Sequence, residues 1–127
     1  MPDTRYIIDT SALIELYLES EKGEKVLAKI KNAATLVPSI VVAELKRKLE
    51  REGLDSSSFI HGIKETSLVL DLTFEIANAA GKKHSELRKK FPNISLADCI
   101  VMAHSEQENV KVITTDGHFK ETSAVVI

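Results

Sequence analysis

The sequence predicts an α/β domain in which a parallel sheet is covered by helices on both faces. Short runs rich in β-branched residues alternate along the chain with longer segments whose apolar residues recur at helical spacing. The strand candidates are continuously apolar rather than alternating, as expected for strands buried on both faces. In such sheets ligands bind beyond the carboxyl ends of the strands, where the winding reverses. Those ends are where chemistry is sought.

The elements follow in order. "RYIID" (5–9) is a short strand, and "SALIELYLE" (11–19) places apolar residues at 13, 14, 16 and 17, a helical pattern. "EKGEKVLAKIKN" (21–32) reads as a helix with Val26, Leu27 and Ile30 inward. "ATLVP" (34–38) is a second strand stopped by Pro38. Ser39 is placed to cap the helix "IVVAELKRKLERE" (40–52), which ends at Gly53. A weaker helix (56–65) and a third strand candidate (66–72) come next. The pattern then predicts a long helix over 73–91, ending before Pro92. Ser95 opens the helix "LADCIVMAHSEQEN", "VKVITT" (110–115) is a clear strand, and "SAVVI" (123–127) can add an edge strand. No repeat, linker or low-complexity segment interrupts this order.

At 127 residues, 43% apolar and 28% charged, the chain reads as one globular domain spanning 1–127. A lone cysteine, Cys99, forms no internal disulfide and points to a reducing, cytoplasmic setting. Cys99 has no evident basic neighbour and reads as core packing rather than as a nucleophile. Asp9 and Glu15 interrupt the apolar start, so neither a secretory signal nor a membrane span is expected. A net charge of −2 gives no bulk attraction for nucleic acid; any such attraction must be local.

Four acids occupy positions that invite chemistry. Asp9 and Asp116 stand at the carboxyl ends of the first and the "VKVITT" strands. Glu44 lies in the second turn of the helix after "TLVP", and Asp98 in the first turn of the helix before "VKVITT". Each has an ordinary role open to it. Asp9 can cap the following helix, Glu44 can pair with Lys48, Asp98 can complete a capping box with Ser95, and Asp116-Gly117 can be a turn. Glu44 and Asp98, however, interrupt the two most apolar helical starts, which predicts that they do not project freely into water. Were all four to converge, two charges about 4–5 Å apart would repel by ~3–4 kcal/mol at an effective dielectric near 20. Such a cluster takes up protons or binds cations. Oxygen-only donors suit Mg2+ or Mn2+, which can bind a phosphate oxygen and generate hydroxide from water. The constellation points to phosphodiester hydrolysis.

Other chemistries fit less well. A phosphoacceptor receiver domain needs an acidic pair after the first strand, and a D-x-D phosphatase needs an acid at position 11; here Thr10 and Ser11 follow Asp9. No glycine-rich phosphate loop occurs. The histidines at 61, 84, 104 and 118 lack ligand spacing, although His118 is close in sequence to Asp116.

Together, "YIIDTSALIEL", "VPSIVVAELKRKL", "ISLADCIVMAHS" and "VITTDGHF" resemble, in order and spacing, the four motifs of the PIN domain family, and within it the stand-alone VapC-type toxin ribonucleases. The resemblance implies a Rossmann-like fold with a central parallel sheet of four to five strands and helices on both faces. It implies a Mg2+- or Mn2+-dependent endoribonuclease that hydrolyses RNA by metal-activated water, leaving a 5′-phosphate and a 3′-hydroxyl. Carried over by position, Asp9, Glu44, Asp98 and Asp116 become the catalytic and metal-binding acids, with Thr10 or Ser11, and Thr114, as supporting hydroxyls. A further acid that some members carry near the last motif has no counterpart, since Gly117 and His118 follow Asp116. The same resemblance implies a type II toxin–antitoxin system, a cognate antitoxin partner and a homodimer. An RNA-maturation nuclease and a non-catalytic RNA- or protein-binding module remain alternatives.

Two basic stretches are candidates for RNA binding: Lys46, Arg47, Lys48 and Arg51 in one, Lys82, Lys83, Arg88, Lys89 and Lys90 in the other. Either can equally be a solvated helix face. With two Tyr and four Phe, stacking platforms for bases are sparse.

Overall fold

A computed structural model describes residues 4–119 and 124–127. Among them lie five strands, β1 (Arg5–Ile8), β2 (Ala34–Pro38), β3 (Leu68–Leu70), β4 (Lys111–Thr114) and β5 (Val125–Val126). Six helices accompany them: α1 (Thr10–Leu18), α2 (Glu21–Ile30), α3 (Ser39–Arg51), α4 (Ser57–Thr66), α5 (Phe74–Leu87) and α6 (Leu96–Glu108). The strands form one sheet in the order β3-β2-β1-β4-β5, and every pairing is parallel. This is the α/β architecture with a parallel sheet that the continuous apolar strands predict.

The order places β1 at the centre. The chain winds outward through β2 to β3, then returns past β1 to β4 and β5, so the winding reverses between β1 and β4. Right-handed crossovers, the near-universal rule, put the helices of the two winding directions on opposite faces. β1 and β4 are in register through Ile7–Val112 and Ile8–Ile113. Residues just past Ile8 and Ile113 therefore emerge side by side at the switch point.

Ile7, Ile8, Leu36, Val37, Val112 and Ile113 are all buried and form the two-sided centre of the sheet. From α3 come Val41, Leu45 and Leu49, a single apolar stripe at helical spacing. α6 buries an unbroken run from Cys99 to His104. Cys99 is fully buried, and burial pushes its thiol up, consistent with packing. Burial likewise lowers His104, whose Nε2 has no hydrogen-bond partner among the described residues.

The helix ends show local causes. Ser20 caps α2 by accepting from the Gly23 N–H at 3.0 Å. At Gly23 a Cβ would stand 2.1 Å from the Glu15 carbonyl oxygen, so glycine alone permits this approach of α2 to α1. α3 ends in a Schellman arrangement. Gly53, at φ +71°, donates to Glu50, and Leu54 donates to Leu49, both at 2.9 Å.

Several predicted boundaries shift by a residue or two, and the strand expected over 66–72 contracts to Leu68–Leu70 because α4 runs on through Thr66. Two further differences have clear local causes. Ser39 does not cap α3 but is its first residue; Pro38 precedes it with extended backbone and still pairs in β2, without a side-chain cap. α5 ends at Leu87 rather than at Phe91. There the N–H groups of Lys90 and Phe91 both turn back to the Leu87 carbonyl, at 3.0 and 2.8 Å. Phe91 is half-buried against the core, and Pro92 disfavours helical backbone at the residue before it. Among the described residues no helix is long and apolar enough to cross a membrane.

Candidate functional site

Asp9 follows β1 directly, and its N–H donates to the Ile113 carbonyl of β4 at 3.2 Å. It is also the N-cap of α1, with Oδ1 accepting from the Ala12 N–H at 3.1 Å. Asp116 leaves β4 on the same side, its N–H donating to Thr114 Oγ1 at 2.9 Å. α3 contributes Glu44, and the first turn of α6 contributes Asp98. All four acids line one cleft of about 200 Å³, together with Thr10, Ser11, Arg47, Lys48, Ser95 and Val101. Larger and more apolar hollows lie elsewhere, among them one of about 590 Å³ between α3 and α4. Convergence, not size, singles out the acid cleft.

Hydroxyls hold the carboxylates. Ser11 Oγ donates to Asp9 Oδ1 at 2.7 Å, Thr114 Oγ1 donates to Asp9 Oδ2, and Thr10 Oγ1 donates to Glu44 Oε1 at 3.0 Å. Ser11 Oγ also accepts from the Thr115 N–H at 2.9 Å. A hydroxyl has one proton to give. With both protons directed at Asp9, the 3.2 Å contact between Ser11 and Thr114 carries no hydrogen bond of its own. The arrangement is built around an ionised Asp9.

Burial nevertheless dominates. Asp9 is 5% exposed, and desolvation pushes its pKa up to about 6, against the lowering effect of the hydrogen bonds from Thr114, Ser11 and Ala12. The Asp116 charge pushes in the same direction as burial. Three donors do not offset the loss of water around this carboxylate.

Asp98 forms the capping box with Ser95. Ser95 Oγ accepts from the Asp98 N–H at 3.0 Å, and Asp98 Oδ2 accepts from the Ser95 N–H at 3.2 Å. Asp98 and Glu44 are only half-buried, which corrects the expectation that apolar surroundings withdraw them from water. The apolar faces of α3 and α6 turn inward, and each acid stands at the margin of its face, on the cleft. Glu44 makes no ion pair with Lys48; Thr10 is its partner.

The two basic stretches separate. Arg47 and Lys48 line the cleft, at i+3 and i+4 from Glu44 on α3, whereas Lys46 is held by Glu50 at 2.7 Å and Ser56 at 3.0 Å. The i, i+3, i+4 rule alone distinguishes Lys46 from Arg47 and Lys48. Arg51 lies in a neighbouring groove. Lys82, Lys83, Arg88, Lys89 and Lys90 do not line the cleft, and Lys83 pairs with Glu106. Ser95, which the sequence suggests only as a cap, and Val101, which it does not single out, also line it. The side chain of His118 lies outside the described residues.

Carboxylate oxygens are hard donors suited to Mg2+ or Mn2+. Among the described residues no group of three His, Cys, Asp or Glu side chains stands close enough to hold an ion as placed. The chemistry of the donor set does fit such an ion. A buried carboxyl raised to about 6 beside a second acid is a site at which a divalent cation would supply favourable charge.

The family model described as PIN domain matches residues 6–125. Among solved structures, the chain is similar to Mycobacterium tuberculosis VapC20, a sarcin-ricin loop cleaving toxin, at TM-score 0.77 and 17% identity, covering 96% of this chain and 98% of that one. It is similar to a toxin-antitoxin complex from Klebsiella pneumoniae at TM-score 0.73 and 16% identity, over 96% and 95% of the two chains. It is also similar to VapBC2 from Rickettsia felis, bound to a DNA fragment from its promoter, at TM-score 0.72 and 19% identity, over 98% of each chain. At these identities the likenesses establish the fold. No curated protein matches the sequence. PIN domains are typically metal-dependent nucleases. The chain belongs to the PIN domain family.

Proposed function

We propose that this chain, as one PIN domain over 1–127, is a Mg2+- or Mn2+-dependent endoribonuclease and the toxin of a type II toxin–antitoxin pair. The observation that carries the reading is convergence. Asp9, Glu44, Asp98 and Asp116 come from four separate segments and share one cleft at the switch point of the sheet. Asp9 and Asp116, held on adjacent strand ends, form the fixed side of the site. Glu44 and Asp98, half-buried on α3 and α6, face them across the cleft. Ser11 and Thr114 keep both Asp9 oxygens oriented, and Thr10 does the same for Glu44. When bound by these carboxylates, a divalent ion would polarise a phosphate oxygen and make water a competent nucleophile at neutral pH. Arg47 and Lys48 give the otherwise acidic cleft positive charge for the substrate backbone.

The similar structures support the biological setting, since one is a sarcin-ricin loop cleaving toxin and another a toxin-antitoxin complex. We therefore assign a cognate antitoxin as partner, a homodimer as the assembled state and the cytoplasm as the compartment. Exposed apolar side chains such as Leu27, Leu68 and Phe74 are compatible with such protein contacts.

The test is cleavage of a labelled single-stranded RNA. The wild type should cut in Mn2+ or Mg2+, leave 5′-phosphate ends and stop in EDTA, while Asp116→Asn should lose more than about 100-fold in rate. Cleavage that persists undiminished in EDTA or in Asp116→Asn rules the reading out.

A further inference from the structure

A groove of about 450 Å³ lies beside the acid cleft, lined by Ile14, Leu18, Lys48, Leu49, Arg51, Glu52 and Leu54. Lys48 lines both hollows, so the two adjoin at its side chain. We infer that this groove is a subsite for an unpaired nucleotide flanking the cleaved phosphodiester, with its base against Ile14, Leu18 and Leu54 and its phosphates met by Lys48 and Arg51. The inference rests on the nuclease reading above and adds which part of the RNA is held, and where.

Three features point to this occupant. Glu44, Lys48 and Arg51 fall at i, i+4 and i+7 on α3, one stripe that leads from the acids into the groove. Lys48 and Arg51 are separated by just under one helical turn, a rise of ~4.5 Å, so both long side chains serve the same groove. Both cations lack ion-pair partners among the described residues, so their charge is available to phosphates. The acid cleft itself repels a polyanion, and these cations offer positive charge beside it.

The second feature is the floor. Leu49 is buried, but among the described residues Leu18 is left 54% and Leu54 36% exposed. An aliphatic floor under a basic edge matches the two sides of a nucleotide, an apolar base face and an anionic backbone. The third is shape. A base inside a duplex is stacked on its neighbours and cannot reach such a floor, so the occupant is single-stranded or splayed from a loop. With aliphatic rather than aromatic walls, the contact favours no particular base strongly. Glu52 also lines the groove and repels a further phosphate, which limits the subsite to about one nucleotide.

Leu18→Asp and Leu54→Asp place a charge where the base would lie and leave the four acids in place. The probe is a labelled single-stranded RNA 8-mer, read by fluorescence anisotropy for Kd and by cleavage for KM, with thermal unfolding as the folding control. Both variants should raise Kd and KM about tenfold or more, and Arg51→Ala should reduce the slope of log Kd against log salt by about 1. Leu18→Ser and Arg51→Ala read the same groove should an aspartate variant fail to fold. If the wild type cuts RNA and these variants keep its Kd and KM, the subsite is overturned while the nuclease reading stands. The same holds if they keep RNA binding and lose only a protein partner. If the wild type neither binds nor cuts the RNA, the nuclease reading itself fails and the subsite fails with it.

Discussion

Asp9 and Asp98 do the same structural job at two helix starts, in opposite surroundings. Asp9 caps α1 from inside the protein, with three hydrogen-bond donors and almost no water. Asp98 belongs to the Ser95 capping box of α6 and lines the same cleft half-buried. Capping explains why an acid is tolerated at each position, but it does not explain why both face the same hollow. The raised pKa of Asp9 marks the difference. The inner acid is destabilising while ionised and lacking a cation, whereas the outer one contributes a cap at little desolvation cost.

The largest effect that separates the two is expected from Asp9→Asn. Cleavage should fall by more than about 100-fold, since the inner carboxylate is lost. The metal-free variant should nevertheless be more stable than the wild type at pH 8. A rise from 3.8 to about 6 corresponds to ~3 kcal/mol at ~1.36 kcal/mol per unit, an upper figure because amide hydrogen bonds differ from those of a carboxylate. The sign follows from proton binding. Folded Asp9 binds its proton more tightly than the unfolded chain does, so this group's contribution falls as pH rises from about 4 to about 6, then stays level. Urea unfolding of the metal-free wild type should show that decline, and Asp9→Asn should remove it.

Asp98→Asn sharpens the contrast. It should lose cleavage to a similar degree but change stability in the other direction, by ~0.5–1 kcal/mol, because the amide is a poorer partner at a helix start than the carboxylate. Equal stability changes in the two variants, measured side by side by urea unfolding, would remove the distinction. A smaller effect is expected from Thr114→Val, which keeps shape and deletes the donor to Asp9. Losses of ~10–100-fold in cleavage and ~1 kcal/mol in stability should follow, with Asp9 titrating higher.

Much of this arrangement was legible in the chain itself. Continuous apolar strands announced the parallel sheet, and the strand-end acids announced where their shared cleft would lie. The misplaced limits are local. Pro38 displaced Ser39 as the residue before α3, and turns back to Leu87 shortened α5 where Phe91 packs inward. Thr10 and Thr114 were named as supporting hydroxyls through the family resemblance, but which acid each one holds was not legible, because the partners are remote in sequence. Thr10 reaching Glu44 spans 34 positions and Thr114 reaching Asp9 spans 105, distances over which periodicity says nothing. The basic stretch 46–51 shows the same limit at short range. Each residue along a helix turns the side chain by about 100°, so adjacent cations face different hollows, and composition cannot assign them. Burial of Glu44 and Asp98 was overestimated because an apolar helical start does not reveal which margin of its face lies open.

The central claim, that the four acids form one cation-dependent site, is tested most directly by thermal unfolding at pH 7.5 with increasing Mn2+. The wild-type Tm should rise on the order of 10 °C once Mn2+ is about 100-fold above its Kd, and Asp9→Asn should lose most of that rise. A wild-type Tm indifferent to Mn2+ and Mg2+, or an equal rise in Asp9→Asn, would contradict the account.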